Sequence, residues 1–167
     1  MKSIAIKNLK EFEIKEIEEP KSDGQKVIIE VKKAGICGSD IHYWVEGQPT
    51  GLVLGHEYCG LVIDPGNRKD LHIGDRVTAL PLSPCGHCPA CHAGNIQYCP
   101  ETWDHAAGLS LDNPGALAPK MAIRPDMVIK VPANISDEEV AMVEPTAVGL
   151  HAINLANLKI GDKVLII

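Results

Sequence analysis

The sequence lacks any excess of positive charge. Its 167 residues include 16 Lys and Arg against 22 Asp and Glu, which gives a net charge of -6, and no basic stripe runs along the chain. Nucleic acids and anionic membranes bind to basic surfaces, so both are disfavoured as partners. Apolar runs also fall well short of the roughly 18 residues that a membrane-spanning helix needs. With 45% hydrophobic and 23% charged residues, the composition is that of an ordinary globular domain.

Internal repeats and low-complexity segments are also missing, and short strands separated by glycine turns dominate the sequence. Turn signals such as Asp23-Gly24 and Pro65-Gly66 separate several of these strands. Apolar and polar residues alternate at period two, as in half-buried strands, within residues 4–6, 12–14 and 27–31. Further short strands are predicted at 52–54, 61–63, 77–80 and 127–131. This pattern predicts a mostly β fold, built as a closed or nearly closed β-barrel.

The pattern changes to helix near Ser136. Ser136 and Glu139 form a capping box, which predicts a short helix from 137 to about 143. Proline is favoured at the first position of a helix, so Pro145 predicts a second helix that runs to about Leu155. The predicted class is therefore α+β, with the helices at the C-terminal end of the barrel.

Residues 159–167 form a turn followed by a continuous apolar segment, of the kind found in strands of buried parallel sheets. Without a partner, such a strand would leave its backbone groups unpaired at an exposed edge. We therefore expect Ile167 to end the first strand of a second, truncated domain, which divides the chain into 1–156 and 157–167. An additional strand of the barrel is the alternative.

Four cysteines stand at Cys-x2-Cys-x2-Cys-x7-Cys spacing, in a stretch rich in Gly and Pro that leaves no room for a regular helix or strand: Cys85, Cys88, Cys91 and Cys99. Four thiolates bind zinc in a saturated tetrahedron, which folds a loop but leaves no position for a substrate. Disulfides and a redox pair are the alternatives. The crowding of four thiols favours one ion, and the motif does not open a helix after a strand. His87 and His92 lie between the ligands and are interpreted as loop surface.

A second group of chemically active side chains lies earlier in the chain. A loop at 37–42 holds a thiol, a hydroxyl, a carboxylate and an imidazole, and His56 and Glu57 stand between two glycines about eighteen residues later. Catalytic zinc sites take three ligands from Cys, His and Glu and leave the fourth position open. Cys37 and His56 can supply two of them. Glu144 can supply the third, because a helix N-terminus favours an ionised carboxylate; a role as helix cap alone is the alternative.

These motifs occur in a fixed order: Cys-Gly-Ser-Asp-x-His at 37–42, Gly-His-Glu-x-x-Gly at 55–60, Gly-Asp-Arg-Val at 74–77, the four cysteines, and Val-Glu-Pro at 143–145. In that order and at those separations, the whole chain resembles the zinc-dependent medium-chain alcohol and polyol dehydrogenases. The resemblance implies a GroES-like barrel that carries both zinc ions, followed by a Rossmann domain. Cofactor-binding residues are then expected beyond Ile167, and this chain alone is expected to be inactive.

The resemblance also implies roles for single residues. It makes Cys37, His56 and Glu144 the ligands of the catalytic zinc, and the four cysteines at 85–99 the ligands of a structural zinc. Glu57 corresponds to a glutamate that approaches the catalytic metal in place of water, and a supporting position behind the ligands is the alternative for it.

The remaining roles concern the movement of a proton. Asp40 corresponds to a carboxylate behind the ligands that orients the His56 imidazole. Ser39 corresponds to the hydroxyl that takes the proton of the alcohol, and His42 to the histidine that passes it to solvent. A surface histidine with no such role is the alternative for His42.

The implied activity is that of a zinc-dependent oxidoreductase, in which a secondary alcohol is oxidised to a ketone and hydride passes to NAD or NADP, with zinc as the Lewis acid. The pair Tyr43-Trp44 stands out in a chain with one Phe, two Trp and three Tyr. Sorbitol and xylitol dehydrogenases have a similar His-Tyr-Trp, which points to a polyol; vicinal diols and threonine are alternatives, and the aromatics also suit the wall of any cleft.

The resemblance further implies a small-molecule partner and a homodimer or homotetramer for the full-length form. Six cysteines, interpreted as five metal ligands and the spare Cys59, indicate a reducing compartment and hence the cytoplasm. A different class of function stays open at this point: a non-catalytic or vestigial zinc-folded GroES-like module.

Overall fold

The computed structural model describes residues 1–166, which form seven strands, four α-helices and two 3₁₀ turns. The strands are β1 (Lys2–Asn8), β2 (Glu11–Glu16), β3 (Val27–Ala34), β4 (Tyr58–Asp64), β5 (Arg76–Ala79), β6 (Lys120–Ile123) and β7 (Val128–Lys130). The helices are α1 (Gly38–Glu46), α2 (Pro89–His92), α3 (Asp137–Ala141) and α4 (Val143–Ala156), and the 3₁₀ turns cover Ile96–Tyr98 and Pro125–Met127. None of the helices within residues 1–166 is long and apolar enough to cross a membrane.

Five strands form one antiparallel sheet in the order β6-β3-β4-β5-β7. The outer strands, β6 and β7, are joined by only the four residues 124–127, three of which form a 3₁₀ turn. A flat five-stranded sheet would hold its edges about 19 Å apart, whereas this connection spans roughly 13 Å. The sheet therefore curls into a nearly closed barrel, and the predicted mostly β fold with C-terminal helices is confirmed.

The hairpin β1–β2 forms a separate two-stranded sheet at the side of the barrel. It is attached through backbone hydrogen bonds of 2.9 Å from Ile6 N to Leu52 O and from Ile4 N to Leu117 O. The segment 52–54 was expected to be a strand, but it makes a single β-bridge, between Val53 and Ala5. Its three consecutive apolar side chains are nevertheless buried, so this apolar run reflects burial without forming a ladder of strand pairs.

Two further sequence expectations were wrong. The segment 37–42 was expected to be a loop, but residues from Gly38 onwards form α1. The cysteine lobe was expected to hold no regular structure, yet it contains α2 and a 3₁₀ turn. Short helices of this kind are set by local caps and turns, which hydrophobic periodicity does not detect.

The C-terminal segment also differs from the expectation. The two predicted helices are present, and they meet at Met142. The predicted apolar strand after Gly161 is not formed among residues 162–166, which are exposed and pair with no other described strand, while Ile167 lies outside the described residues. A strand requires a partner to satisfy its backbone groups, and none of the strands within residues 1–166 pairs with this segment.

Tyr58, at the start of β4, is the largest fully buried side chain and packs with Val27, Ile29 and Val62 in the main core. Its hydroxyl has no hydrogen-bond partner among the described residues. Burial raises the pKa of this phenol, so the group stays neutral. The ring therefore contributes apolar contact, while its oxygen is a buried group that is not satisfied.

We predict that Tyr58→Phe will raise the free energy of unfolding by about 1 kcal/mol, because it removes the unsatisfied hydroxyl and keeps the ring. Tyr58→Ala is the contrasting variant, with an expected loss of about 3–5 kcal/mol from the cavity it leaves. Urea denaturation of both variants measures the two effects. A clear loss of stability in Tyr58→Phe would show that the hydroxyl has a partner.

Candidate metal centres

The register of β3 and β4 brings the two halves of the first candidate site together. Ala34, the last residue of β3, pairs with Tyr58, the first residue of β4. Cys37 therefore lies three residues past the end of one strand, and His56 lies two residues before the start of the neighbouring one. Because the strands are antiparallel, these positions meet at the same end of the sheet.

Gly55 fixes the approach of the chain to His56. Its φ is +102°, in the region that favours glycine. A side chain there would also meet the amides of Ala116 and Leu117 at 3.0 Å. The backbone conformation at this point of the motif therefore requires the glycine, and the histidine that follows supplies a possible metal ligand.

Asp40 lies behind the candidate ligands, in the first turn of α1, and is only 4% exposed. Its Oδ2 accepts a hydrogen bond of 2.9 Å from the backbone N–H of Cys37, the residue that caps this helix. Its Oδ1 lies 3.5 Å from Nδ1 of His56. Neither Oδ1 nor Nδ1 has another partner among the described residues. One carboxylate therefore faces both Cys37 and His56.

The His56 imidazole is buried and carries a perturbed pKa. Burial opposes its charged form, but the Asp40 carboxylate and the Cys37 sulfur outweigh that effect and raise the pKa to about 9. The pocket around this imidazole is therefore arranged to stabilise positive charge next to it. A divalent cation supplies such a charge.

Glu57, and not Glu144, is the carboxylate that joins Cys37 and His56 in a compact group. One ligand atom from each of Cys37, His56 and Glu57 lies within 4.8 Å of the others. The Glu57 backbone is held by a hydrogen bond of 2.7 Å from Gly35 N, and a side chain at Gly35 would collide with its carboxylate. The group consists of one thiol, one imidazole and one carboxylate, which is a donor set that zinc accepts.

Glu144 lies near this group at the start of α4. Burial raises the pKa of its carboxyl; the nearby His56 lowers it and the nearby Glu57 raises it. It shares with His56 and Ser39 a cavity of about 340 Å³, lined also by Tyr43, Pro81, Trp103 and Leu109. The volume is within the range of small-molecule sites.

The structure separates several residues that the sequence presents together. Tyr43 lines the cavity, but its neighbour Trp44 does not; its ring stacks on Phe12 with centroids 6.2 Å apart. His42 is exposed on α1.

Trp103 was missed by the sequence reasoning, although it is one of only two tryptophans and follows the last cysteine of the lobe by four positions.

The second candidate centre consists of the four cysteines, whose sulfurs all lie within 4.8 Å of one another. The sulfurs of Cys85 and Cys91 are 3.9 Å apart. A tetrahedron of thiolates at about 2.3 Å from zinc places its sulfurs about 3.8 Å apart. The four cysteines therefore fit a saturated zinc site with little rearrangement.

Backbone amides point at these sulfurs. Cys99 Sγ accepts from Cys85 N at 3.3 Å, and Cys91 Sγ accepts from Gly86 N at 3.4 Å. The amide of Cys85 is the main cause that lowers the pKa of Cys99 to about 7. Gly86 has φ +83°, which the turn requires. Amides in this arrangement stabilise the negative charge of thiolate ligands.

A comparison with family models matches residues 23–133 to the alcohol dehydrogenase GroES-like domain. The match covers most of the barrel and both candidate centres except Glu144. This chain belongs to the family of alcohol dehydrogenase GroES-like domains.

Individual relatives agree with this assignment. The chain is 34% identical to sorbitol dehydrogenase of Bacillus subtilis, over 99% of this chain and 48% of that protein. It is 39% identical to a probable D-xylulose reductase A of Aspergillus clavatus, over 86% of this chain and 41% of that protein. The chain thus spans about half the length of the curated relatives it matches.

A solved structure, galactitol-1-phosphate dehydrogenase of Escherichia coli, superposes with a TM-score of 0.83 at 30% identity. The superposition covers 94% of this chain and 45% of that one. The chain thus adopts the fold of the corresponding part of that dehydrogenase.

We predict that Asp40→Asn will weaken zinc binding at the Cys37 centre by roughly 10- to 100-fold. An asparagine oxygen can still accept from Cys37 N–H, so the helix cap is retained, but the carboxylate that faces His56 is lost. Competition with a zinc chelator measures the affinity of each centre.

The four-cysteine centre is the internal control for this measurement, and Asp70→Asn is the matched variant, because Asp70 pairs with Arg68 on the exposed surface. The four-cysteine centre of Asp40→Asn and the Cys37 centre of Asp70→Asn should both keep the zinc affinity of the unmodified protein. Unchanged affinity of the Cys37 centre in Asp40→Asn would refute a role for Asp40 in holding His56.

Proposed function

We propose that this chain is the zinc-binding catalytic part of an NAD(P)-dependent alcohol or polyol dehydrogenase, which oxidises a secondary alcohol to a ketone. The observation that carries the proposal is a three-donor group, Cys37, His56 and Glu57, beside a cavity of about 340 Å³ to which His56 contributes. A group with three protein donors leaves a position open for a substrate. The four-cysteine centre has no such position.

The residues fit a zinc ion by their chemistry. A thiolate, an imidazole and a carboxylate suit zinc, and the buried Asp40 carboxylate behind the ligands supplies the usual partner for a ligating histidine. When bound, zinc supplies Lewis acidity, which favours loss of a proton from a coordinated alcohol. In our proposal Cys37, His56 and Glu144 hold the ion. The carboxylate of Glu57, which lies with Cys37 and His56 in this structure, occupies the remaining position in the absence of substrate and leaves it when substrate binds.

The proton is removed by residues of α1. Ser39 lines the cavity, and His42 is exposed three positions further along the helix. Residues at i and i+3 lie on the same face of a helix. In our proposal the Ser39 hydroxyl takes the proton inside the cavity, and His42 passes it to solvent.

The substrate class is proposed to be a polyol. Relatives named for sorbitol, D-xylulose and galactitol-1-phosphate support this choice. A butanediol dehydrogenase of Bacillus subtilis is also similar, with a TM-score of 0.81 at 31% identity over 97% of this chain and 49% of that one. The cavity supplies Tyr43 and Trp103 as walls and Ser39 and Glu144 as polar groups. Vicinal diols and threonine are the competing substrates in the test below.

The nicotinamide cofactor is proposed to bind to a Rossmann domain that begins near residue 157. The relatives are about twice as long as this chain, and neighbours have been solved with NADP and with NADH. The apolar side chains Val148, Leu150, Ile153 and Leu155 of α4 are all more than half exposed, as expected of a surface that another part of the protein covers. We also propose that the full-length protein is a homodimer or a homotetramer and that it is located in the cytoplasm.

The proposal predicts NAD(P)-linked oxidation by the full-length protein, tested with polyols, vicinal diols and threonine, each with NAD and with NADP. Cys37→Ser should abolish this activity. Cys59→Ala is the matched control, because the Cys59 thiol is buried outside both metal groups, 3.5 Å from Asp137. Absence of activity on every substrate, with both centres loaded with zinc, would favour a non-catalytic zinc module.

A second prediction separates proton transfer from metal binding. Ser39→Ala should lower kcat on the order of 100-fold, because the group that takes the proton is lost, with no change in zinc content. Ser22→Ala, which removes an exposed hydroxyl between β2 and β3, should leave kcat unchanged. Steady-state kinetics with zinc analysis makes the comparison, and a normal kcat in Ser39→Ala would exclude Ser39 from the proton path.

A further inference from the structure

A third group of metal-binding side chains lies on the outside of the cysteine lobe. One ligand atom from each of Cys85, His87 and Glu101 lies within 4.8 Å of the others. His87 and Glu101 are exposed, whereas Cys85 is half-buried and also belongs to the four-cysteine centre. The two groups therefore share one sulfur.

The hydrogen bond of the His87 ring leaves one of its two nitrogens free to bind a metal. Its Nδ1 lies 3.0 Å from the backbone oxygen of Cys85. A carbonyl oxygen only accepts, so Nδ1 carries the hydrogen of this bond, and in the neutral ring Nε2 keeps its lone pair. Histidines that bind metals typically donate their other N–H to a carbonyl or a carboxylate in this way.

The backbone holds the two exposed donors close to the thiols. His87 follows Gly86, whose amide points at Cys91 Sγ, and Glu101 follows Cys99 by two positions. Both donors thus lie in segments that the four sulfurs organise. The group combines one sulfur, one nitrogen and one carboxylate oxygen, with room for water as a fourth ligand.

We propose that Cys85, His87 and Glu101 form a loading site, a second metal site at which zinc enters and leaves the four-cysteine centre. A saturated four-thiolate site has no free position, so an arriving ion needs a place to be held while its ligands are exchanged. The shared sulfur of Cys85 allows the ion to move inwards without being released to water.

The transfer balances without any oxidant or reductant. The ion keeps its bond to the sulfur of Cys85, and its bonds to the His87 nitrogen, the Glu101 oxygen and any coordinated water break. Bonds to the sulfurs of Cys88, Cys91 and Cys99 form in their place. Any protons that these thiols carry pass to water. Release of the ion is the same sequence in reverse.

The test uses Co²⁺ as the probe, because its absorption distinguishes four-sulfur ligation from mixed ligation. Metal-free protein that carries Cys37→Ser, so that the other centre does not contribute, is mixed with Co²⁺ in a stopped-flow spectrometer. We expect an early mixed-ligand spectrum that converts to the four-sulfur spectrum. In the double variant His87→Ala/Glu101→Gln the early species should be absent, and loading should be roughly tenfold slower for want of two of its three ligands.

The matched control is the double variant His92→Ala/Asp104→Asn, which removes an exposed histidine and an exposed acid of the same region that lie outside the group. It should load at the original rate. The rate of zinc release is measured as transfer of zinc to a chelator from protein with Cys37 intact. This rate should also be roughly tenfold slower in the His87→Ala/Glu101→Gln variant, and it should not change in the control variant. Equal rates in all proteins would overturn the proposal, as would loss of bound metal at equilibrium, since that would make His87 and Glu101 permanent ligands.

Discussion

The candidate catalytic centre depends on one buried carboxylate, that of Asp40. Its two oxygens face the backbone N–H of Cys37, just after the end of β3, and the ring nitrogen of His56, just before the start of β4. A buried carboxylate is costly unless it is paired, so its partners are constrained to remain near it. The Oδ2 contact with the Cys37 amide helps to fix the start of α1, and Oδ1 faces the imidazole. The strand register brings Cys37 and His56 to the same end of the sheet, and Asp40 lies against both of them.

The two candidate metal centres differ in how many coordination positions they leave open. The segment that holds the four cysteines also leads to the cavity beside the other centre. The four cysteines hold a lobe whose end leads directly to Trp103 and Leu109, two walls of the substrate cavity. The lobe is tied to the barrel by Arg124, whose guanidinium donates to the carbonyl of Pro84. A metal ion held by the four cysteines would thus fix where the wall of the cavity beside His56 begins, without lining that cavity itself. In the same lobe, the exposed donors His87 and Glu101 give that saturated site a route for its metal.

Much of this arrangement could be predicted from the sequence, and the failures have physical causes. Cysteine spacing identified the four-sulfur group because ligands to one ion must lie close in the chain or in space. The pairing of Cys37 with His56 was inferred from chemistry, and the antiparallel register explains it. The helical state of residues 38–46 was missed because a short helix depends on its capping interactions, here the hydrogen bond from the amide of the capping residue Cys37 to Asp40, more than on periodicity. Trp103 was missed because its place in the cavity depends on the path of an irregular loop. The proximity of Glu57 to Cys37 depends on Gly35, which leaves the space that its carboxylate occupies.

The central claim is that the chain holds two zinc ions of different kind, one saturated and one open to substrate. Anomalous diffraction at the zinc edge, from crystals of the zinc-loaded protein, tests it most directly. We expect two peaks: one surrounded by the sulfurs of Cys85, Cys88, Cys91 and Cys99, and one bound by Cys37 and His56 beside the cavity that Ser39 lines. A single peak at the four cysteines, or a second peak that does not contact His56, would contradict it.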